Sequence, residues 1–153
     1  MAWTVFIDGK EGTTGLRIFD RLAERGEFSL LTLPEEKRKD ADARREAIHA
    51  ADIAILCLPD AAARESVALA EGSNTRILDT STAHRVAPGW AYGFPELSKK
   101  HRDAVVSGQY VAVPGCHATG FIAPVAPLVE LGIIPKAAHL NVTSLTGYSG
   151  GGK

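Results

Sequence analysis

The sequence predicts an α/β protein built on a doubly wound parallel sheet. Three observations carry that expectation. Short apolar runs alternate with helix-spaced segments from the N-terminus to about residue 80. The runs are apolar throughout rather than at every second position, as strands covered on both faces are. The first of them, WTVFI (3–7), ends in a glycine-rich turn, GKEGTTG (9–15), that opens a helix.

In order along the chain, LRIFDRLAE puts Leu16, Phe19, Leu22 and Ala23 on one helical face. FSLLTL (28–33) is the second expected strand. PEEKRKDADARREAIHAA is strongly charged, with a helix expected from Ala41 onward. DIAILCLP (52–59) is the third strand, AAARESVALAE the next helix, and RILD (76–79) the fourth strand. TSTAHRVAPGWAYGFPELSKK (80–100) is rich in Gly, Pro, Ser and Thr and is expected to be ordered but irregular. VVSGQYVAVPG (105–115) reads as a return to strand and HATGFIAPVAPLVELG (117–132) as a helix with two prolines near its start. HLNVTSLTG (139–147) reads as one more strand.

Bulk properties exclude several classes of function. The 153 residues carry a formal net charge of −1, with 45% hydrophobic and 23% charged residues. That balance describes a globular protein and supplies no electrostatic reason for a nucleic-acid or membrane-surface partner. Two cysteines are too few for a disulfide framework, so a reducing cytoplasm is expected. The start, MAWTVFIDGK, has no basic segment followed by a longer apolar one, so no signal peptide is expected. No apolar run approaches membrane-spanning length, and prolines break FIAPVAPLV.

Two places carry chemistry. Gly9, Gly12 and Gly15, with Thr13 and Thr14 among them, lie between the first strand and the first helix. Glycines there let the backbone approach a pyrophosphate, whose charge a helix N-terminus favours. A dinucleotide's adenosine ribose would then meet the end of the second strand, LPEEKRK. Glu35 or Glu36 could hold a free 2′-hydroxyl, and Lys37, Arg38 and Lys39 a 2′-phosphate; three cations in a row favour NADP. The second place is VAVPGCHATGF (111–121), where Cys116 follows Pro-Gly at a strand-to-helix junction. Free N–H groups at a helix start stabilise a thiolate and can receive an oxyanion. Cys57, inside an apolar strand, is read as a small buried hydrophobe. His84 and Arg85 follow the fourth strand, at the edge where α/β proteins bind ligands, and Arg85 suits a phosphate or carboxylate. His117 adjoins Cys116, but neighbouring side chains on a helix diverge, so it is not expected to be the base. His49, His101 and His139 have no evident partners, and no spacing suggests a metal site.

Taken together, GKEGTTG, LDTSTAHR, YGFPEL, VPGCHATGF and TGYSGGGK resemble N-acetyl-γ-glutamyl-phosphate reductase, in its shorter subtype. The resemblance runs from the first strand to the last residue. It implies a Rossmann-type NADP-binding domain over 1–115, and over 116–153 the beginning of a semialdehyde-dehydrogenase-like α+β substrate domain. It places the nucleophile on Cys116 and gives Ser149, Gly150 and Gly151 a cofactor-lining role. It also implies that the catalytic histidine lies beyond Lys153, since His117 and His139 fall at the wrong places in the pattern. The expected partners are NADP, an acyl-phosphate substrate and released phosphate, with a homo-oligomer at full length.

The implied reaction is attack of the Cys116 thiolate on an acyl phosphate, loss of phosphate and reduction of the thioester by NADPH. Aspartate-semialdehyde dehydrogenase uses the same logic on a shorter substrate, but the HATG after Cys116 weighs against it. The alternative from another class is an NADP-binding module without catalysis.

Overall fold

Alternation along the first strand decides how the sheet is covered. The structure is a computed structural model that describes residues 2–10 and 12–147. In β1 (Trp3–Asp8), Val5 and Ile7 face one way and Phe6 and Asp8 the other, as the two-residue period of a strand requires. Val5 and Ile7 join Ile55 in a cluster packed against Ile18, Phe19 and Leu22 of α1 (Thr13–Ala23). Phe6 joins Ala47 and Ile48 of α2 (Ala41–Ala50), with Ala54, Leu56 and Ile77, in the larger cluster on the opposite face. Phe6, Ile48, Leu56 and Ile77 are among the largest fully buried side chains. Each contributes about 1.5–3 kcal/mol by leaving water.

The remaining strands and α-helices are β2 (Phe28–Leu31), β3 (Ile53–Leu56), α3 (Asp60–Leu69), β4 (Arg76–Asp79), β5 (Ala91–Tyr92), α4 (Lys99–Ser107), β6 (Tyr110–Ala112) and α5 (Cys116–Glu130). The sheet runs β2-β1-β3-β4-β6-β5, and every neighbouring pair is parallel. The chain leaves β1 for β2 on one side and resumes with β3 on the other. The β1/β3 boundary is therefore the topological switch point, beside which ligands bind in open α/β sheets. Because all strands are parallel, Asp8, Leu56, Asp79 and Ala112 end on the same edge.

The segment read as irregular is more regular than expected. The valines at 105 and 106 suggested a strand, yet they belong to α4. Ser98 sets that helix by accepting the His101 N–H, and Gly108 closes it by donating to the Ala104 carbonyl at 2.8 Å. Within the segment, β5 adds a sixth strand beside β6. The opposite correction applies to 139–147, expected as a strand. It forms none, because no described strand lies beside it to complete a ladder, and Val142 and Leu145 are exposed. Pro124 and Pro127 sit in the second half of α5 rather than near its start. They withhold the amide donors that the Gly120 and Ala123 carbonyls would otherwise meet. No residue of α5 is buried. Among the described residues, no helix is long and apolar enough to cross a membrane.

Candidate cofactor cleft and nucleophile turn

The three glycines between β1 and α1 answer to different demands. Gly9 has φ +83°, and a Cβ there would stand 2.4 Å from the Cys57 carbonyl oxygen. Gly15 is buried, and its Cβ would stand 2.4 Å from the Gly9 carbonyl oxygen. Both are required by the fold. Gly12 is exposed, and its Cβ would meet its nearest neighbour, the Gly9 carbonyl oxygen, at an ordinary 3.5 Å. It begins α1 without a side-chain cap, so N–H groups of the first turn remain for an outside acceptor. Thr13 and Thr14 open the helix, and the Lys10 ammonium lies 3.7 Å over the Phe19 ring.

This loop forms one wall of a cleft of about 680 Å³ at the switch point. Leu33 and Thr32 follow β2 into it, and Leu58 and Pro59 follow β3. Glu35, Arg38 and Lys39 line its rim, whereas Lys37, expected to share a phosphate with Arg38, is not among the lining residues. Arg38 Nη2 lies 3.3 Å from Glu35 Oε1. Cys57 also lines the cleft and is half-buried; burial pushes its thiol up to about 11, against a smaller opposing hydrogen bond with Thr80.

A polar cluster lies beneath the loop. Asp8 and Arg44 are 5% and 6% exposed, and Asp8 Oδ2 accepts from Arg44 Nε and Nη2 at 3.2 and 3.1 Å. The same oxygen accepts from Ser66 Oγ at 2.8 Å, and Arg44 Nη1 reaches Glu65 Oε1 at 3.2 Å. Sequence reading placed Arg44 only within a charged segment expected to be helical and gave Asp8 no role. The available signal was Asp8's alternation with Phe6, which turns it toward α2 and α3.

At the far end of the edge, the Val113 N–H donates to the Asp79 carbonyl at 2.8 Å, extending the ladder to the Pro114-Gly115 turn. Gly115 begins α5 without a side-chain cap, and Cys116, its first residue, is exposed. Arg85 lies under this turn. Its Nε donates to the Val113 carbonyl at 3.2 Å and its Nη2 to the Thr80 carbonyl at 3.1 Å. A Cβ on Gly115 would stand 2.8 Å from Arg85 Nη1. The glycine before the cysteine thus makes room for a guanidinium. His84, expected to touch substrate, faces inward instead and is 6% exposed. Its Nδ1 is 2.6 Å from Asp79 Oδ2, and its ring stacks on Trp90 with centroids 4.1 Å apart. A buried carboxylate and an aromatic face hold it in that position. His117 Nδ1 is hydrogen-bonded to Ser144 Oγ. Ser149, Gly150 and Gly151 lie outside the described residues. Among the described residues, no group of three or more His, Cys, Asp or Glu side chains could hold a metal ion.

Comparison with known proteins places this geometry. The chain is 51% identical over 149 residues to an N-acetyl-gamma-glutamyl-phosphate reductase of Trichormus variabilis, covering 97% of this chain and 46% of that protein. It is 53% identical over 150 residues to the protein of the same name from Brucella ovis, covering 97% and 48%. It therefore spans about half the length of these curated relatives. Among solved structures, aspartate semialdehyde dehydrogenase with NADP from Candida albicans superposes with a TM-score of 0.66 at 17% identity, over 86% of this chain and 48% of that one. The Francisella tularensis enzyme gives 0.66 at 16%, over 86% and 42%. At those identities the likeness shows the fold alone. Residues 4–105 match the family model described as semialdehyde dehydrogenase, NAD binding domain. On that match, the chain belongs to the semialdehyde dehydrogenase NAD-binding domain family.

Proposed function

We propose that residues 1–115 are the NADP-binding domain, and 116–153 the opening of the catalytic domain, of a cytoplasmic N-acetyl-γ-glutamyl-phosphate reductase. One observation carries the reading: the glycine-loop cleft and the exposed Cys116 share one edge of the sheet. β1 and β6 are three strand spacings apart, about 14 Å. An extended dinucleotide lying along that edge runs from the cleft toward the cysteine. The relatives carrying this name support the choice of substrate over a shorter acyl phosphate.

The residues fit the cofactor. Gly12 is a glycine that internal packing does not require, at the mouth of an uncapped helix, which suits close approach of a pyrophosphate. When bound, the reduced cofactor would supply the hydride that converts a thioester to the semialdehyde. The chain's own part is nucleophilic. The Cys116 thiolate attacks the acyl carbon, the carbon–oxygen bond to phosphate breaks, and inorganic phosphate leaves with the electron pair. The first N–H groups of α5, left without a side-chain cap, would receive the oxyanion, and Arg85, whose Nη1 lies beside Gly115, would meet the departing phosphate.

Arg38 and Lys39, which line the cleft, are the cations assigned to a 2′-phosphate; their position at its rim supports the choice of NADP. Fluorescence titration tests this. NADPH should bind more tightly than NADH by about tenfold or more, the scale of one charge-assisted hydrogen bond. Arg38→Ala combined with Lys39→Ala should bring the two affinities together. Equal affinities in the unaltered protein, or a preference for NADH, would sink the NADP assignment.

A further inference from the structure

Asp8 stands in an awkward place for a protein that binds a pyrophosphate. It immediately precedes Gly9, it lines the same cleft as Gly9, Lys10 and Gly12, and it is 5% exposed. A carboxylate held there, away from water, repels an anionic ligand more strongly than one in solvent. Glu65, from α3, lines the cleft as well. Against these two carboxylates the cluster sets one cation, Arg44, which meets both, at 3.1 and 3.2 Å. Arg44 lines the cleft as well, but four of its five N–H groups are spent within the cluster: Nε and Nη2 on Asp8, Nη1 on Glu65, and Nη2 again on Ser66 Oγ at 2.5 Å. One Nη1 N–H is left, too few for the two parallel bonds by which a guanidinium grasps a phosphate.

We infer that Arg44 is the counter-charge of the acidic cluster beneath the glycine loop: it sets affinity for the cofactor's pyrophosphate chiefly by neutralising Asp8 and Glu65, rather than by gripping the ligand. The inference rests on the cleft being the cofactor's. It separates charge from shape, because losing Arg44 leaves two uncompensated carboxylates while the apolar walls at Leu33, Leu58 and Pro59 remain.

The test compares ADP, which carries a pyrophosphate, with adenosine, which carries no charge, by isothermal titration of the full chain. Arg44→Met should weaken ADP by about tenfold or more while adenosine moves by less than about twofold. Adding Asp8→Asn to Arg44→Met should restore most of the ADP affinity. Glu65→Gln offers an independent arm should Arg44→Met fail to fold, since the Glu65 side chain is 56% exposed and its loss leaves the core intact. It should tighten ADP and leave adenosine unchanged. Parallel loss of ADP and adenosine in Arg44→Met would overturn the inference, as would no ADP gain in Glu65→Gln. Wild-type protein that binds ADP yet behaves so loses this inference only; wild-type protein that binds neither ADP nor NADPH loses the cofactor reading as well.

Discussion

The two cysteines show how far position alone can separate identical side chains. Cys57 follows β3 and packs partly against Val5, Ile7 and Ile55, and burial raises its pKa from 9.0 to about 11. Asp8 and Asp79 push in the same direction, because each disfavours a second negative charge nearby. Cys116 is exposed at the start of α5. Iodoacetamide near neutral pH should therefore label Cys116 alone, read by peptide mapping, with Cys57 modified only on unfolding. Linkage fixes the sign of a second effect. A thiol whose folded pKa lies above its unfolded one favours the fold fully below pH 9.0 and loses that contribution as pH rises toward about 11. Cys57→Ala should flatten that alkaline fall in stability. Rapid labelling of Cys57 in the folded protein, or an alkaline limb unchanged in the variant, would contradict this account of its burial.

At the scale of elements, the loop between β1 and α1 divides its glycines between folding and binding. Gly9→Ala and Gly15→Ala each force a carbon to within 2.4 Å of a backbone oxygen, so both should lower the melting temperature sharply. Gly12→Val meets no such obstacle. It should leave the melting temperature within a few degrees, a loss of about 1 kcal/mol or less, while weakening NADPH and NADH together. A stable Gly12→Val protein with unchanged binding would remove the pyrophosphate from this loop. The loop was legible in the sequence because its glycines fall between an apolar strand and a helix face. The first four strands were legible because each reads as a short, largely apolar run; β1 and β3 are buried on both faces, whereas β2, at the sheet's edge, is only partly buried. The helix at 99–107 was not: Val105 and Val106 imitate a strand, and only the Ser98 cap and the Gly108 stop mark it as helical. Arg85 could be named from sequence but not explained. Its bonds to Val113 and Thr80 join the end of β4 to the turn before Cys116, a relation between residues far apart in the chain. Asp8 and Arg44 escaped for the same reason, being 36 positions apart.

Across the whole molecule, the parallel sheet brings every chemical feature to one edge, the cleft near β1 and β3 and the cysteine after β6. The other conspicuous surface is α5 and the segment after it. The helix buries no residue, and Leu131, Ile133 and Leu145 are 73%, 65% and 92% exposed. The chain spans about half the length of the reductases it matches. The most direct measurement of the central claim is therefore one that needs the nucleophile and not the complete reaction. The protein is mixed with N-acetyl-γ-glutamyl phosphate without any reductant and examined by intact-mass and peptide mass spectrometry. A gain of one N-acetylglutamyl group on the peptide bearing Cys116, with stoichiometric release of phosphate and no adduct in Cys116→Ala, is the predicted result. An unmodified Cys116, or an acyl group carried by Cys57 or retained in Cys116→Ala, would contradict it.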